Sequence, residues 1–418
     1  MRLTAAPAEL SDLDSIVAEV LDRRLRRGIS RPLAVALSGG GDSVALLLAA
    51  AAWAQAAARP LLVLTVDHRL QPASRGWTEA CEKRARALGA EFRALAWTGP
   101  KPQTGLPAAA RAARHRLLAE AARDAGAAVI LMGHTADDVL EARAMRTAGA
   151  STPEPRDWSP SPVWPQGRGV FLLRPLLGVR RAALRAWLTA RGETWIEDPA
   201  NDDPRFTRAR VRRAGVAERP PPIAAAPGHL AAACRADAAG VLRIARAELR
   251  DAMTADAAAF IGAACLCAAG STRPPAAPRL ARLVAALAAD RVFTATLAGA
   301  RIEADAEDVR ILREPGEIAR GGLAPLALKA GGTAVWDGRF AISAAHALEV
   351  RPLAGQASRL SKEQRQALAA FPPKARAGLP AASLARHATC LVVDGTACRP
   401  LALERLQAAC GLVETEPA

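Results

Sequence analysis

The sequence predicts an α/β chain built on a doubly wound parallel sheet, followed by helical and small α+β C-terminal domains. Three observations carry this reading. Between residues 32 and 147, short apolar runs alternate with stretches of helical period, the pattern of strand–helix–strand units and a parallel sheet. A glycine-rich turn, "SGGGDS" (38–43), joins the first apolar run to the first helical stretch. Beyond "AERPPPIAAAPG" (217–228), a proline-rich linker, the pattern changes to alanine-rich helices and then to short strands with glycine turns.

Taken in order, 32–37 reads as a buried strand and 42–58 as the helix after the glycines. "PLLVLTVDH" (60–68) is a second strand, and 78–90 a second helix with Gly89 at its C-terminal end. A third strand (91–97), a third helix (105–127) and a fourth strand (128–135) follow. "ADDVLEARAMRTA" then opens a helix with acids in its first turn, where the helix dipole favours them. A Pro/Ser/Trp-rich insertion (151–169) reads as an ordered loop or flap, and 170–213 as a strand, a turn, an arginine-studded helix and a polar segment. The domains expected are thus 1–213 (catalytic), a linker over 214–228, a helical domain over 229–295 and a mixed α+β domain over 296–418.

The 418 residues are 51% apolar and carry a net charge of +15, which favours polyanionic partners such as nucleic acid. Seven cysteines (Cys81, Cys234, Cys265, Cys267, Cys390, Cys398 and Cys410) are scattered without a CxxC, so neither a disulfide framework nor a zinc site is expected. The N-terminal segment lacks a signal-peptide core and no apolar run is long enough to span a bilayer, so a cytoplasmic protein without a membrane partner is expected.

In doubly wound sheets ligands bind beyond the carboxyl ends of the strands, where Ser38, Asp67 and His134 fall. The glycines match neither a Walker A loop, since no lysine follows them, nor a GxGxxG fingerprint, since they are consecutive. Tightly turned glycines followed by a helix N-terminus, with the hydroxyls of Ser38 and Ser43, suit a pyrophosphate group. Asp42 would repel that group unless Mg²⁺ bridges them. A bare glycine turn would need none of the flanking Ser and Asp-Ser residues.

On these residues the chain resembles the PP-loop (N-type) ATP pyrophosphatases, of adenine nucleotide alpha hydrolase-like fold. Such enzymes cleave ATP between the α- and β-phosphates, adenylate an oxygen and then displace AMP. Within that superfamily, "VDHRLQPAS" (66–74), "AARAARHRLL" (109–118), "GHTADDVLEARAMR" (133–146) and "RPLLGVRRAALRAWLTARGETWIEDPANDDPRFTRARVR" (174–212) resemble motifs of the tRNA(Ile)-lysidine synthases. The chain departs from them in Arg69, Gln71 and Ala142, and in the 151–169 insertion. The first domain has only Cys81, which disfavours the paired-cysteine chemistry of a tRNA thiolase. Another PP-loop enzyme, a tRNA thiolase or an amide synthetase, and a non-catalytic RNA-binding protein remain as alternatives.

The resemblance implies ligation of L-lysine to position 2 of the wobble cytidine in the CAU anticodon of tRNA(Ile), with ATP as the consumed cosubstrate and Mg²⁺ as the metal. It implies that Ser38, Gly39, Gly40, Gly41, Asp42, Ser43, Val66 and Asp67 bind ATP, with Asp42 also on the metal. Asp138 and Glu141 share a helix face and would hold the lysine amine and take its proton, with Asp42, His134 and Asp137 beside them. Arg111, Arg114 and Arg174 would steady phosphate charge. Arg205, Arg208 and Arg212, with Arg210 and Arg213, would contact tRNA phosphates. The sequence leaves monomer and homodimer both open.

Overall fold

In the computed structural model the described residues are 13–147, 155–164, 166–198, 210, 226–289, 292–316, 323–384, 387–393 and 398–417. The chain divides into two compact units, one of residues 1–224 joined by 413–418, the other of residues 225–412.

The first unit is built on a six-stranded sheet of order β3-β2-β1-β4-β6-β5. Its strands are β1 (Leu33–Ala36), β2 (Leu61–Asp67), β3 (Glu91–Ala96), β4 (Val129–Leu131), β5 (Trp158–Pro160) and β6 (Phe171–Leu173). All pairings are parallel except the edge pair of β5 with β6. The central strands read as continuous apolar runs because helices cover both faces. Leu33, Val35, Leu62, Leu64 and Ile130 are fully buried. Between them run α2 (Gly41–Ala56), α3 (Ser74–Ala87), α4 (Leu106–Asp124), α5 (Ala136–Thr147) and α6 (Arg181–Ala190), after a first helix α1 (Leu13–Arg24).

The strand order reverses direction between β1 and β4, which makes a crevice at their carboxyl ends. The glycine loop follows β1 and His134 follows β4, so both open into that crevice. Helix α1, which packs on α2, was not among the expected elements, although Leu13, Val17 and Leu21 recur at helical spacing and are all buried. The 151–169 insertion supplies the edge strand β5, whose Trp158 stacks on Phe171 of β6 at 4.6 Å between centroids.

The C-terminal residues return to this unit at the amino ends of the strands. Glu416 pairs with Arg59 through two hydrogen bonds of 2.9 and 2.7 Å, both side chains fully buried. The backbone N–H of Arg26 also donates to Glu416, and Arg31 Nη1 to the Pro417 carbonyl.

The second unit holds a five-stranded, a four-stranded and a three-stranded sheet. The boundary expected at 295/296 cuts through the strand Phe293–Leu297. Helices Thr254–Ala269 and Ala277–Ala288 share one apolar core with the five-stranded sheet, through Phe260, Ile261, Leu287, Ile302 and Ile311. The helical and mixed segments are therefore not separate bodies at that point, because an alanine-rich helix needs the sheet's branched residues to bury its face. No helix among the described residues is long and apolar enough to cross a membrane.

Candidate active site

The glycine loop turns through Gly39, whose φ of +84° lies in the left-handed region. Gly40 is the N-cap of α2, and no side chain caps that end, the kind of helix N-terminus that can receive an anion. Ser43 closes the loop from within. Its hydroxyl donates to the Gly40 carbonyl at 2.8 Å, accepts from the Ser38 amide at 3.2 Å and lies 3.1 Å from the Ser38 hydroxyl. Ser43 is buried and Ser38 exposed, so Ser43 shapes the loop while Ser38 faces outward.

Two other segments press on the loop. A Cβ on Gly133, after β4, would lie 3.1 Å from the backbone of Asp42 and Ser43, so any side chain there would press the two turns apart by a few tenths of an ångström. From the polar segment after α6, the Ile196 amide donates to the Gly39 carbonyl at 2.9 Å, and the Trp195 ring covers Gly41. Arg84 ties this segment down through Glu193 and the Thr194 carbonyl, and Gln71 bonds Asp198 at 3.0 Å. Trp195 and Ile196 were not among the expected site residues.

At the start of α5, the Asp138 side chain turns back on Thr135. Asp138 Oδ2 accepts from the Thr135 amide at 2.7 Å and from its hydroxyl at 2.9 Å. Asp138 and Glu141 are 7% and 1% exposed, so their charges need a partner close by. Arg181, the first residue of α6, supplies it. Its Nε lies 2.9 Å from Asp42 Oδ2, its Nη1 3.3 Å from Glu141 Oε1 and its Nη2 3.7 Å from Asp138 Oδ1. No local pattern singles out Arg181. Its place is fixed by Asp137, which accepts the Arg181 amide at 2.7 Å and pairs with Arg180 at 3.2 Å. Burial raises the Asp42 carboxyl despite the opposing pull of Arg181. The three carboxylates outweigh burial at Arg181 and keep its guanidinium charged.

Across the crevice, buried Arg174 donates from Nε to His134 Nδ1 at 3.1 Å, and from Nη1 to the Arg156 carbonyl and the Ser159 hydroxyl at 2.7 and 3.1 Å. Because Nδ1 accepts, the His134 proton sits on Nε2. Burial, with Arg111 next in weight, lowers Arg174 to about 10, and Arg114 adds to the effect. The same arginines help burial push His115 far below its ordinary value. Arg111, Arg114 and Arg174 thus converge on one positive region. Val66 and Asp67 end β2, where Asp67 accepts the Arg69 amide at 2.7 Å. Arg205, Arg208, Arg212 and Arg213 lie outside the described residues, and Arg210 is exposed.

The arrangement offers an anion cradle, a carboxylate cluster and a basic wall around one crevice, which can hold a polyphosphate beside a cationic group. All seven cysteines are free, and burial pushes the Cys81 thiol up, which makes it a poor nucleophile.

The PP-loop domain family matches residues 13–218. The tRNA(Ile)-lysidine synthase of Caulobacter vibrioides is 49% identical over 422 residues, covering 97% of this chain and 99% of its own length. That of Hyphomonas neptunium is 45% identical over 191 residues, 45% of this chain and 51% of that relative. Among solved structures, the U34-tRNA thiolase NcsA of Methanococcus maripaludis aligns with a TM-score of 0.40 at 15% identity, over 49% of this chain and 72% of that one.

Proposed function

The chain belongs to the tRNA(Ile)-lysidine synthase family, and we propose that it joins L-lysine to C2 of the wobble cytidine in the CAU anticodon of tRNA(Ile). The observation that carries the reading is the position of the carboxylate cluster of Asp42, Asp138 and Glu141 directly beside the glycine loop.

The cytosine O2 attacks the α-phosphorus of ATP and pyrophosphate leaves. The lysine ε-amine, having lost a proton, then attacks C2, and AMP departs with the O2 oxygen. In our reading the amides of Gly40 and Gly41 and the Ser38 hydroxyl hold the polyphosphate, while Val66 and Asp67 border the nucleoside. Arg111, Arg114 and Arg174 offset the charge that develops during adenylyl transfer, in a site where fixed charges act more strongly than in water. His134 presents its Nε2–H as a donor. Asp138 and Glu141 receive the lysine ammonium and accept its proton.

Mg²⁺ in such sites is held by one or two carboxylates plus substrate phosphates, and Asp42, at the mouth of the loop, is a hard oxygen ligand of that kind. Bound there with ATP, the ion would relieve the repulsion between Asp42 and the polyphosphate. The net charge of +15 and the exposed Arg210 suit a tRNA partner, and a tRNA substrate places the reaction in the cytoplasm.

The test is transfer of label from α-³²P-ATP. Omitting lysine should leave label on a CAU-anticodon tRNA(Ile) transcript, and adding lysine should discharge it as AMP. Labelling that persists unchanged with lysine, or that needs a sulfur donor for discharge, would move the chain to another PP-loop chemistry.

A further inference from the structure

Arg181 occupies the oxygens a substrate cation would need. Asp138 Oδ2 accepts from the amide and hydroxyl of Thr135, and its Oδ1 faces Arg181 Nη2 at 3.7 Å. Glu141 Oε1 faces Nη1 at 3.3 Å. A lysine ammonium placed on these two carboxylates meets the guanidinium already there, and an arginine does not vacate a site by losing its proton. It has to move.

The geometry also supplies somewhere to go. The Arg181 backbone is pinned by Asp137 at 2.7 Å, which leaves a long side chain swinging from a fixed Cα. Its Nε sits 2.9 Å from Asp42, in the first turn of the helix whose open N-terminus is the anion cradle. A nucleotide bound there, with a metal held by Asp42, would take one of the three carboxylates from Arg181 and would offer phosphate oxygens, to which a guanidinium binds in a two-pronged fashion.

We propose that Arg181 is a positioning residue that keeps the lysine site closed until Mg·ATP draws its guanidinium away from Asp138 and Glu141, so that nucleotide and lysine bind in that order with positive coupling. This rests on the reading that Asp138 and Glu141 receive lysine.

The experiment is equilibrium binding of radiolabelled lysine to the full chain, with and without Mg²⁺ and the non-cleavable α,β-methylene analogue of ATP. Couplings between sites commonly amount to roughly 5–150-fold, and the expected gain in lysine affinity on adding the analogue is about tenfold or more. By reciprocity lysine should tighten the analogue by the same factor. In Arg181→Gln, lysine should bind without nucleotide about as tightly as wild type does with it, bringing the ratio near one. A wild-type ratio near one, or a Gln variant that keeps the wild-type ratio, overturns the proposal. Should Arg181→Gln fail to melt as wild type does, Arg181→Lys replaces it. Its single ammonium cannot span three carboxylates, so its ratio should fall, and an unchanged ratio is again contrary. Asp138→Asn separates the two readings. Lysine binding undiminished in that variant removes the lysine site and the proposal with it, whereas binding lost there alongside a wild-type ratio near one removes only the coupling.

Discussion

Arg174 Nε donates to His134 Nδ1 across 3.1 Å, linking the end of β6 to the end of β4 within the crevice. The contact fixes the histidine tautomer and holds a buried positive charge on the wall of the crevice. Replacing Arg174 by Lys keeps the charge but loses the planar fork that also reaches the Arg156 carbonyl and Ser159. Label transfer from α-³²P-ATP to tRNA should slow by roughly 100-fold or more, the scale of losing one transition-state donor, with little change in lysine binding. A loss below about threefold would show that Arg174 only supports the fold.

Gly133→Ala tests the meeting of the two turns. Its Cβ would stand 3.1 Å from backbone atoms of Asp42 and Ser43, which cannot rotate away as a side chain could. The glycine loop must shift, and the KM for ATP should rise about tenfold, equivalent to about 1.4 kcal/mol. Steady-state kinetics at saturating lysine and tRNA would measure it, and an unchanged KM would place the nucleotide elsewhere.

Arg59 and Glu416 form a fully buried ion pair at the amino ends of the strands, away from the crevice. Glu416→Ala strands a buried guanidinium and should cost about 3–5 kcal/mol, read as a drop in the denaturation midpoint of the first unit. The KM values for ATP and lysine should stay at wild-type levels in the folded enzyme. A change in KM without loss of stability would contradict this assignment.

His115 is buried beside Arg114 and Arg111, and its pKa in the fold lies well below the unfolded value. The unfolded chain therefore binds a proton that the folded chain refuses. Stability is complete above about pH 6.5 and falls as pH drops below it, by at most about 1.4 kcal/mol per unit for one group. In His115→Phe that slope should lessen, as denaturant titrations at pH 7.5 and 5.5 would show. An identical slope would assign the pH dependence to other groups.

The parts of the site legible in the sequence were those carried by local pattern. Consecutive glycines between an apolar strand and a helix announce an anion cradle, and Asp138 and Glu141 share a helix face by spacing alone. Arg181 is different. It lies next to Arg180 in a stretch that reads as an ordinary basic helix, and its importance comes from the sheet order that brings α6 against α2 and α5. Trp195 and Ile196 reach the loop the same way, through tertiary contact with no local signature. Glu416 is farther still, since nothing in a short C-terminal segment signals that it is buried beside Arg59. Helix α1 was readable from Leu13, Val17 and Leu21. The boundary expected at 295/296 falls within the strand Phe293–Leu297, where composition changes while one apolar core continues on both sides.

If the carboxylate cluster beside the glycine loop delivers lysine to an adenylated cytidine, incorporation of radiolabelled lysine into a CAU-anticodon tRNA(Ile) transcript by wild type and Asp138→Asn, measured alongside label transfer from α-³²P-ATP, should separate the two steps. Wild type should incorporate lysine only with ATP. Asp138→Asn should adenylate the tRNA near the wild-type rate while incorporating lysine at least about 100-fold more slowly. Wild-type incorporation by Asp138→Asn, or loss of adenylation and incorporation in equal measure, would contradict the assignment of this cluster to lysine.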